Sequence, residues 1–200
     1  GTRVITSTAS TGYQTSPDLL WFADSSSGLV PSKGTLLLRG VPSWYSSEIS
    51  ASTGARGVHV VQIGSAPTVG VLSLYWDMAN TRFTCSYWST GGGTPGAVAY
   101  TSAISPSQGD VIPLAIRWTS TEGELGLSPY TISVFASGVR GTDATLSTGL
   151  NLAKNVVSFK SLSVATSSGG SLTNTFCGAI TNLTLLPVCL PDDEIAAWSS

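Results

Sequence analysis

Short runs in which apolar and polar residues alternate dominate this 200-residue chain, and Gly, Pro, Ser and Asn separate them. Such alternation predicts strands, because successive side chains of a strand point to opposite faces. We expect about nine to twelve strands, arranged as two packed antiparallel sheets or as a barrel. The runs that predict strands are 34–41, 57–64, 69–77, 81–88, 97–105, 111–118, 129–142, 156–166 and 176–186.

The alternation also predicts which side chains are buried. The short turn between 69–77 and 81–88 predicts a hairpin. Pro113 lacks a backbone N–H, so it indicates an edge strand or a bulge. The predicted core residues are Leu72, Leu74, Trp76, Ile112, Leu114, Ile116, Trp118, Ile132, Val134 and Leu183.

The end of the chain predicts a single short helix. Pro191 suits the first helical position, where its missing N–H is not needed. Three acidic residues follow in 192–194, where they complement the positive end of the helix dipole. Ile195 and Trp198 are three residues apart and therefore share a face that can pack on the sheets.

The N-terminal segment is less regular than the rest. We expect residues 1–33 to form an arm or edge segment that contacts other subunits, and 34–200 to form the folded domain. A homo-oligomer is the expected state. The first ten residues contain no apolar signal region, so either a signal peptide was removed or none existed.

Charge is scarce and evenly spread. Only 10% of the residues are charged and the net charge is −2. The absence of a basic cluster argues against a nucleic-acid partner, and the absence of an apolar run of roughly 20 residues argues against membrane insertion.

The chain has three cysteines, Cys85, Cys177 and Cys189, an odd number without metal-ligand spacing. Buried reduced thiols in a cytosolic product are favoured, and one disulfide is the open alternative.

The closing segment "GAITNLTLLPVCLPDDEIAAW" (178–198) resembles the final motif of LamG-like domains in the concanavalin A-type lectin and glucanase superfamily. In that motif a last strand, G-x-I-x-x-[LV]-x-[LI], precedes a helix start, and Pro191 here replaces the usual Ser or Thr. Residues 109–142 are similar to a family strand and the strand-turn that follows it, with Ile112 and Pro113 in place of the family's Trp and His, and 33–44 is similar to the first core strand. The resemblance covers about 34–200 and implies an all-β, two-sheet antiparallel jelly roll with a short C-terminal helix.

Catalysis is not expected. Glucanases of this superfamily place paired carboxylates on one strand, one as nucleophile and one as acid. Among the acidic residues only Glu122 and Glu124 have strand-like spacing, and their segment reads as a loop. We expect no catalytic residues and no cofactor. Calcium at Asp77 and Asn80 is a weak alternative, because these residues also suit a metal-free turn.

Binding through aromatic side chains is the remaining type of chemistry. A sugar presents an apolar C–H face that a ring can cover, while neighbouring polar groups bond its hydroxyls. Packing of the same rings under a loop or against another subunit is the alternative. The candidate carbohydrate-binding residues are Trp88, Trp44 and Tyr45, with Ser86, Thr90 and Asn80 as hydrogen-bonding neighbours.

These features together favour a non-catalytic virion surface protein of a tailed bacteriophage or a related particle. It would be a head fibre, decoration or tail adhesin that is assembled in the host cytoplasm and contacts other virion proteins and a host glycan. A secreted bacterial carbohydrate-binding module and a degenerate glucanase are the alternatives. The sequence does not determine the glycan, the head or tail location, or the number of subunits.

Overall fold

Two antiparallel β-sheets packed face to face form the body of the protein. The computed structural model describes residues 30–43, 58–63, 70–77, 79–88, 95–146, 150, 152, 157–158 and 178–200. The strands are β1 (Lys33–Pro42), β2 (Val58–Ile63), β3 (Val71–Asp77), β4 (Arg82–Trp88), β5 (Ala97–Tyr100), β6 (Ile112–Thr119), β7 (Thr131–Ala136), β8 (Val139–Arg140), β9 (Ala144–Thr145), β10 (Val157–Ser158) and β11 (Gly178–Leu186). One α-helix, α1 (Asp192–Ser199), follows them.

The strands divide into a six-stranded and a five-stranded sheet. The first has the order β11-β1-β6-β7-β8, and β9 also pairs with β7. The second has the order β10-β2-β3-β4-β5. The prediction of two antiparallel sheets and one C-terminal helix is therefore confirmed. Within the described residues, no helix has the length and apolar character of a membrane span.

The core lies between the two sheets. Nine of the ten predicted core residues are buried there, and Leu183 is half-buried at its margin. On the β3–β4 hairpin, Leu72, Leu74 and Trp76 face Phe83, Cys85 and Tyr87 within this core. The hairpin turn predicted between these runs is also confirmed, with Asp77 opposite Arg82.

A close approach of backbone and ring fixes one end of the core. Gly34 on β1 lies opposite Trp118 on β6, and the Trp118 side chain is fully buried. A Cβ added at Gly34 would stand 2.5 Å from the indole ring and 2.9 Å from the backbone oxygen of Leu186. Only glycine leaves enough room for the ring at this position.

Two strand predictions need correction. β6 lies inside its sheet, between β1 and β7, so Pro113 does not mark an edge strand. The β6–β7 register begins at Leu114, and the Pro113 carbonyl accepts the backbone N–H of Ser137 at 2.8 Å, so the proline lies near the start of an interior strand, where it is tolerated. The alternation of 57–64 also predicts that His59 shares a face with Val61 and Ile63. A register shift between His59 and Val61 interrupts that alternation, because His59 pairs with Tyr75 and Val61 pairs with Leu74.

The C-terminal helix covers the face of the six-stranded sheet that points away from the core, here called the back face. Ile195 is fully buried against Leu37, Ala115 and Phe135, and half-buried Trp198 packs on the same cluster. The predicted packing of Ile195 and Trp198 is confirmed. The position of Pro191 is corrected, since it is the N-cap residue and the helix begins at Asp192.

A buried arginine joins the helix to the sheet. Arg117 on β6 is 1% exposed and donates to the Asp192 carboxylate at 2.7 Å, the Leu190 carbonyl at 2.8 Å and the Ser133 hydroxyl at 3.3 Å. Arg140 also binds Asp192. The start of the helix is therefore held by charge-assisted hydrogen bonds as well as by apolar packing.

Two of the three cysteines lie in the described part of the chain. Cys85 and Cys189 are both free and buried, as expected for small apolar residues. Burial raises the pKa of the Cys85 thiol far above its usual range, and burial also raises the pKa of Cys189. Cys177 lies outside the described residues.

Candidate functional site

The five-stranded sheet has a polar and aromatic face that points away from the core, here called the outer face. The pairing aligns Ser73 with Ser86, and Tyr75 with Thr84 and Tyr100. Much of this face is buried, including Ser73, Thr84 and Ser86. Its more accessible part lies toward the end formed by the β3–β4 turn. The described outer-face residues are Gln62, Val71, Ser73, Tyr75, Asp77, Arg82, Thr84, Ser86, Trp88, Val98 and Tyr100.

At that end five side chains form what we call the Arg82–Tyr100 cluster: Tyr75, Asp77, Asn80, Arg82 and Tyr100. The Arg82 guanidinium stacks over the Tyr100 ring with its central carbon 3.7 Å from the ring centroid. Such stacking holds a cation over the negative face of an aromatic ring. The Arg82 side chain is 26% exposed, so a ligand in solvent can reach part of it.

Asp77 and Asn80 shape the turn beside the arginine. One Asp77 carboxylate oxygen accepts the backbone N–H groups of Ala79 at 3.1 Å and Asn80 at 3.3 Å. The other oxygen accepts the Asn80 side-chain amide at 2.7 Å. An Asp side chain that bonds the backbone of its own turn is a common turn arrangement, and calcium at Asp77 and Asn80 stays an untested alternative. Within the described ranges, no three His, Cys, Asp or Glu side chains form a group that could hold a metal ion.

Two buried polar atoms at the Arg82–Tyr100 cluster have no hydrogen-bond partner among the described residues. The Arg82 Nε lies 3.8 Å from the Asp77 carboxylate, which is beyond hydrogen-bond distance. In the described part of the chain this buried Nε has no hydrogen-bond partner, and neither has the hydroxyl of neighbouring Thr84. Buried polar groups in native proteins are nearly always paired. Both atoms are buried, so a ligand would contact the accessible part of the Arg82 guanidinium rather than these two groups.

The predicted binding residues are only partly brought together. Trp88 is 7% exposed and lies opposite Val71, so the expectation of an exposed ring is corrected. Ser86 is fully buried and shares a 3.1 Å hydrogen bond with the Tyr75 hydroxyl. Asn80 is exposed in the cluster. Trp44, Tyr45 and Thr90 lie outside the described residues, and their predicted role in binding stays a prediction.

Sequence reasoning missed Arg82 and Tyr100 as site residues. Arg82 shares a face with Thr84, Ser86 and Trp88, which the alternation of 81–88 already indicated. Tyr100 comes from a separate strand, and only the β4–β5 register places it beside Thr84. That register depends on contacts distant in sequence, so no local signal could have joined the two residues.

No protein-family model and no curated protein sequence matches the chain. Solved structures do match it. The chain is similar to a heptameric SAP-like pentraxin from Limulus polyphemus, with 12% identity, a TM-score of 0.56 and coverage of 84% of this chain and 70% of that one. It is also similar to the CBM40 of a Ruminococcus gnavus IT-sialidase bound to α2,3-sialyllactose, with 14% identity, a TM-score of 0.56 and coverage of 86% and 84%.

A third similar structure is the NanB sialidase from Streptococcus pneumoniae, with 10% identity and a TM-score of 0.57. The match covers 84% of this chain but 24% of that enzyme, so the likeness concerns one module-sized part of it. At these identities the comparisons establish the fold alone, which is a concanavalin-like jelly roll of the kind found in lectin-like domains.

Proposed function

We propose that this chain is a non-catalytic glycan-binding module and that the Arg82–Tyr100 cluster is part of its binding surface. The observation that carries the proposal is the stacking of a partly exposed arginine on Tyr100, beside the exposed turn that contains Asn80. Aromatic rings cover the apolar face of a sugar, and guanidinium and amide groups bond its oxygens. The cluster offers both types of group within one small area.

The carboxylates support a binding role over hydrolysis. Canonical glycoside hydrolysis uses two carboxyl groups that flank the scissile bond. Asp77 is the carboxylate of the cluster, and its oxygens already accept hydrogen bonds from the turn. Glu124 binds Lys33 and Thr119 instead. Hydrolysis of a β-glucan by the purified chain would revive the alternative of a degenerate glucanase.

The similar structures indicate which glycans to test first. One is a carbohydrate-binding module bound to α2,3-sialyllactose. An arginine suits a sugar carboxylate, because charge-assisted hydrogen bonds are roughly twice as strong as neutral ones. We therefore place sialylated glycans beside neutral ones in the first test set.

The second part of the proposal concerns where the module works. We place it on the surface of a tailed phage or phage-like particle, as a head fibre, decoration or tail adhesin assembled in the host cytoplasm. The low charge content and the expected arm at 1–33 support this placement. Immunogold electron microscopy of the native source tests it, and a free secreted monomer would contradict it.

A secreted carbohydrate-binding module of a larger enzyme is the second candidate. It is favoured by the match to a CBM40 over 86% of this chain and by the module-sized match within a sialidase. A signal peptide or an adjoining catalytic domain in the full gene would support it. Neighbouring capsid or tail genes would support the virion role.

A glycan array tests the binding site. A single shallow site is expected to bind with a Kd on the order of 1 mM, so the chain should be displayed in many copies to gain avidity. Arg82→Ala and Tyr100→Ala should each lower the array signal at least tenfold, while Arg82→Lys should retain part of it. Glu122→Ala, at an exposed position outside the cluster, is the matched control and should bind like the parent chain.

The outcomes separate the alternatives. Binding that survives both cluster variants but is lost when Trp88, Trp44 and Tyr45 are replaced together would move the site to the aromatics predicted from the sequence. If the displayed parent chain binds no glycan, the protein is better explained as a structural decoration. Circular dichroism of each variant confirms that loss of binding is not loss of fold.

A further inference from the structure

The last strand, β11, is the outermost strand at one end of the six-stranded sheet among the described residues. Eight of its nine residues pair with β1 on one side, and no described residue pairs with the other. The other described edge strands are much shorter, with two residues in each of β8, β9 and β10 and four in β5. A row of unpaired backbone N–H and C=O groups is a template for pairing with another chain.

Most of the usual protection of an edge strand is missing here. Sheet edges are commonly blocked by charged side chains, proline or bulges. β11 contains no charged residue and no proline. A register shift leaves Thr181 without a partner in β1, but Asn182–Leu186 pairs with β1 without interruption. Half-buried Leu183, Leu185 and Leu186 keep some apolar surface accessible along this regular stretch.

We propose that β11 is a dimerisation edge that pairs antiparallel with β11 of a second copy of this chain. Full overlap of the five regular residues with themselves places Thr184 on the two-fold axis, Leu183 opposite Leu185, and Asn182 opposite Leu186 of the second copy. Such an interface is isologous, because each copy contributes the same patch. The two six-stranded sheets then form one continuous sheet.

The chemistry of the edge favours a second copy over a charged partner. With no charge on β11, self-pairing brings no like charges together, and an acidic or basic peptide finds no complementary group. Half-buried Ile180 and Val188, which is 47% exposed, flank the regular stretch and add apolar surface beside this edge.

A charge introduced at the two-fold axis tests the proposal in the full-length chain. Sedimentation velocity over about 1–100 μM, the range in which a dimer of modest affinity dissociates, should show a monomer–dimer equilibrium for the parent chain. Thr184→Lys and Thr184→Glu should each raise the dimer Kd at least tenfold, because identical charges then face each other across the axis. An equimolar mixture of the two variants should restore the dimer, which shows that both variants are folded.

Thr181→Lys is the matched control. It adds the same charge to the same strand at the bulge, outside the regular stretch, so it should dimerise more tightly than Thr184→Lys. A parent chain that stays monomeric up to the highest concentration overturns the proposal. So does a dimer or larger assembly that Thr184→Lys leaves intact, since it must then use another surface such as the expected arm at 1–33.

Discussion

Single residues carry stability where a large side chain fills space that nothing else can fill. Trp118 is fully buried, and its ring lies against Gly34 in a gap that a Cβ would close. The hydrophobic alternation of 111–118 was sufficient to place this ring in the core. It was not sufficient to identify Gly34 as the residue that makes room for it.

Trp118→Ala should lower the free energy of unfolding by about 3–5 kcal/mol, because it removes a fully buried ring and leaves a cavity. Urea denaturation followed by circular dichroism measures the change. Val139→Ala is the control, since Val139 is 64% exposed and its truncation should change stability by no more than about 0.5 kcal/mol. An effect below about 1 kcal/mol for Trp118→Ala would contradict the described packing.

The cysteines give a second prediction at this scale. Cys85 and Cys189 are buried with raised thiol pKa values, so the reactive thiolate is scarce and inaccessible in the folded protein. In a Cys177→Ser variant, a thiol reagent such as DTNB should react slowly at pH 8 in buffer. It should react quickly with both thiols in denaturing guanidinium. Rapid reaction of the folded variant would show that one thiol is accessible.

At the scale of elements, the C-terminal helix packs on the back face of the six-stranded sheet and covers part of it. Its acidic first turn suits the helix dipole, as the sequence predicted. The structure adds a specific role for Asp192, which pairs with buried Arg117 and with Arg140. This explains why a helix-poor chain ends on a helix: it covers apolar residues and a charge that the sheet leaves on its back face.

Asp192 makes the anchoring of this helix pH-dependent. Burial alone would raise the pKa of its carboxyl, but the hydrogen bonds and charges of Arg117 and Arg140 together outweigh that effect and lower the pKa below its ordinary value of 3.8. A lowered pKa in the folded state means that the contribution to stability is present above the ordinary value. It is lost as the pH falls through the folded-state pKa.

Asp192→Asn should therefore destabilise the protein by about 1 kcal/mol at pH 7, a modest value because half of the Asp192 side chain is exposed and solvent screens the pair. The difference from the parent chain should shrink toward zero below the folded-state pKa. Chemical denaturation at pH 7 and at about pH 2 measures it. Asp193→Asn is the control for the helix dipole, and an equal effect of both variants would rule out a specific role for the Arg117 contact.

At the scale of the whole molecule, the N-terminal segment connects directly to the first core strand. Val30 forms a bridge with Lys33, and its carbonyl accepts the Trp118 indole N–H at 3.4 Å. Residues 30–33 are thus attached to the sandwich. The expected assembly arm stays a prediction for the residues that precede Val30.

Limited proteolysis tests that arm. A segment that gains order by binding its neighbours should be cleaved quickly before Val30 in an isolated subunit and slowly in an assembly. Mass spectrometry of the products locates the cut, and the intact 30–200 fragment serves as the internal reference. Equal rates of cleavage in the two states would count against an assembly role.

The sequence by itself determined the class of architecture and most of the core. Period-two alternation is a local property, so it revealed the strands, their buried faces and the final amphipathic helix without knowledge of their partners. It could not show that β6 lies inside its sheet, that Trp88 is buried, or that Arg82 stacks on Tyr100. Strand order, register and the covering of each face depend on contacts between distant segments, and therefore only the tertiary structure decided them.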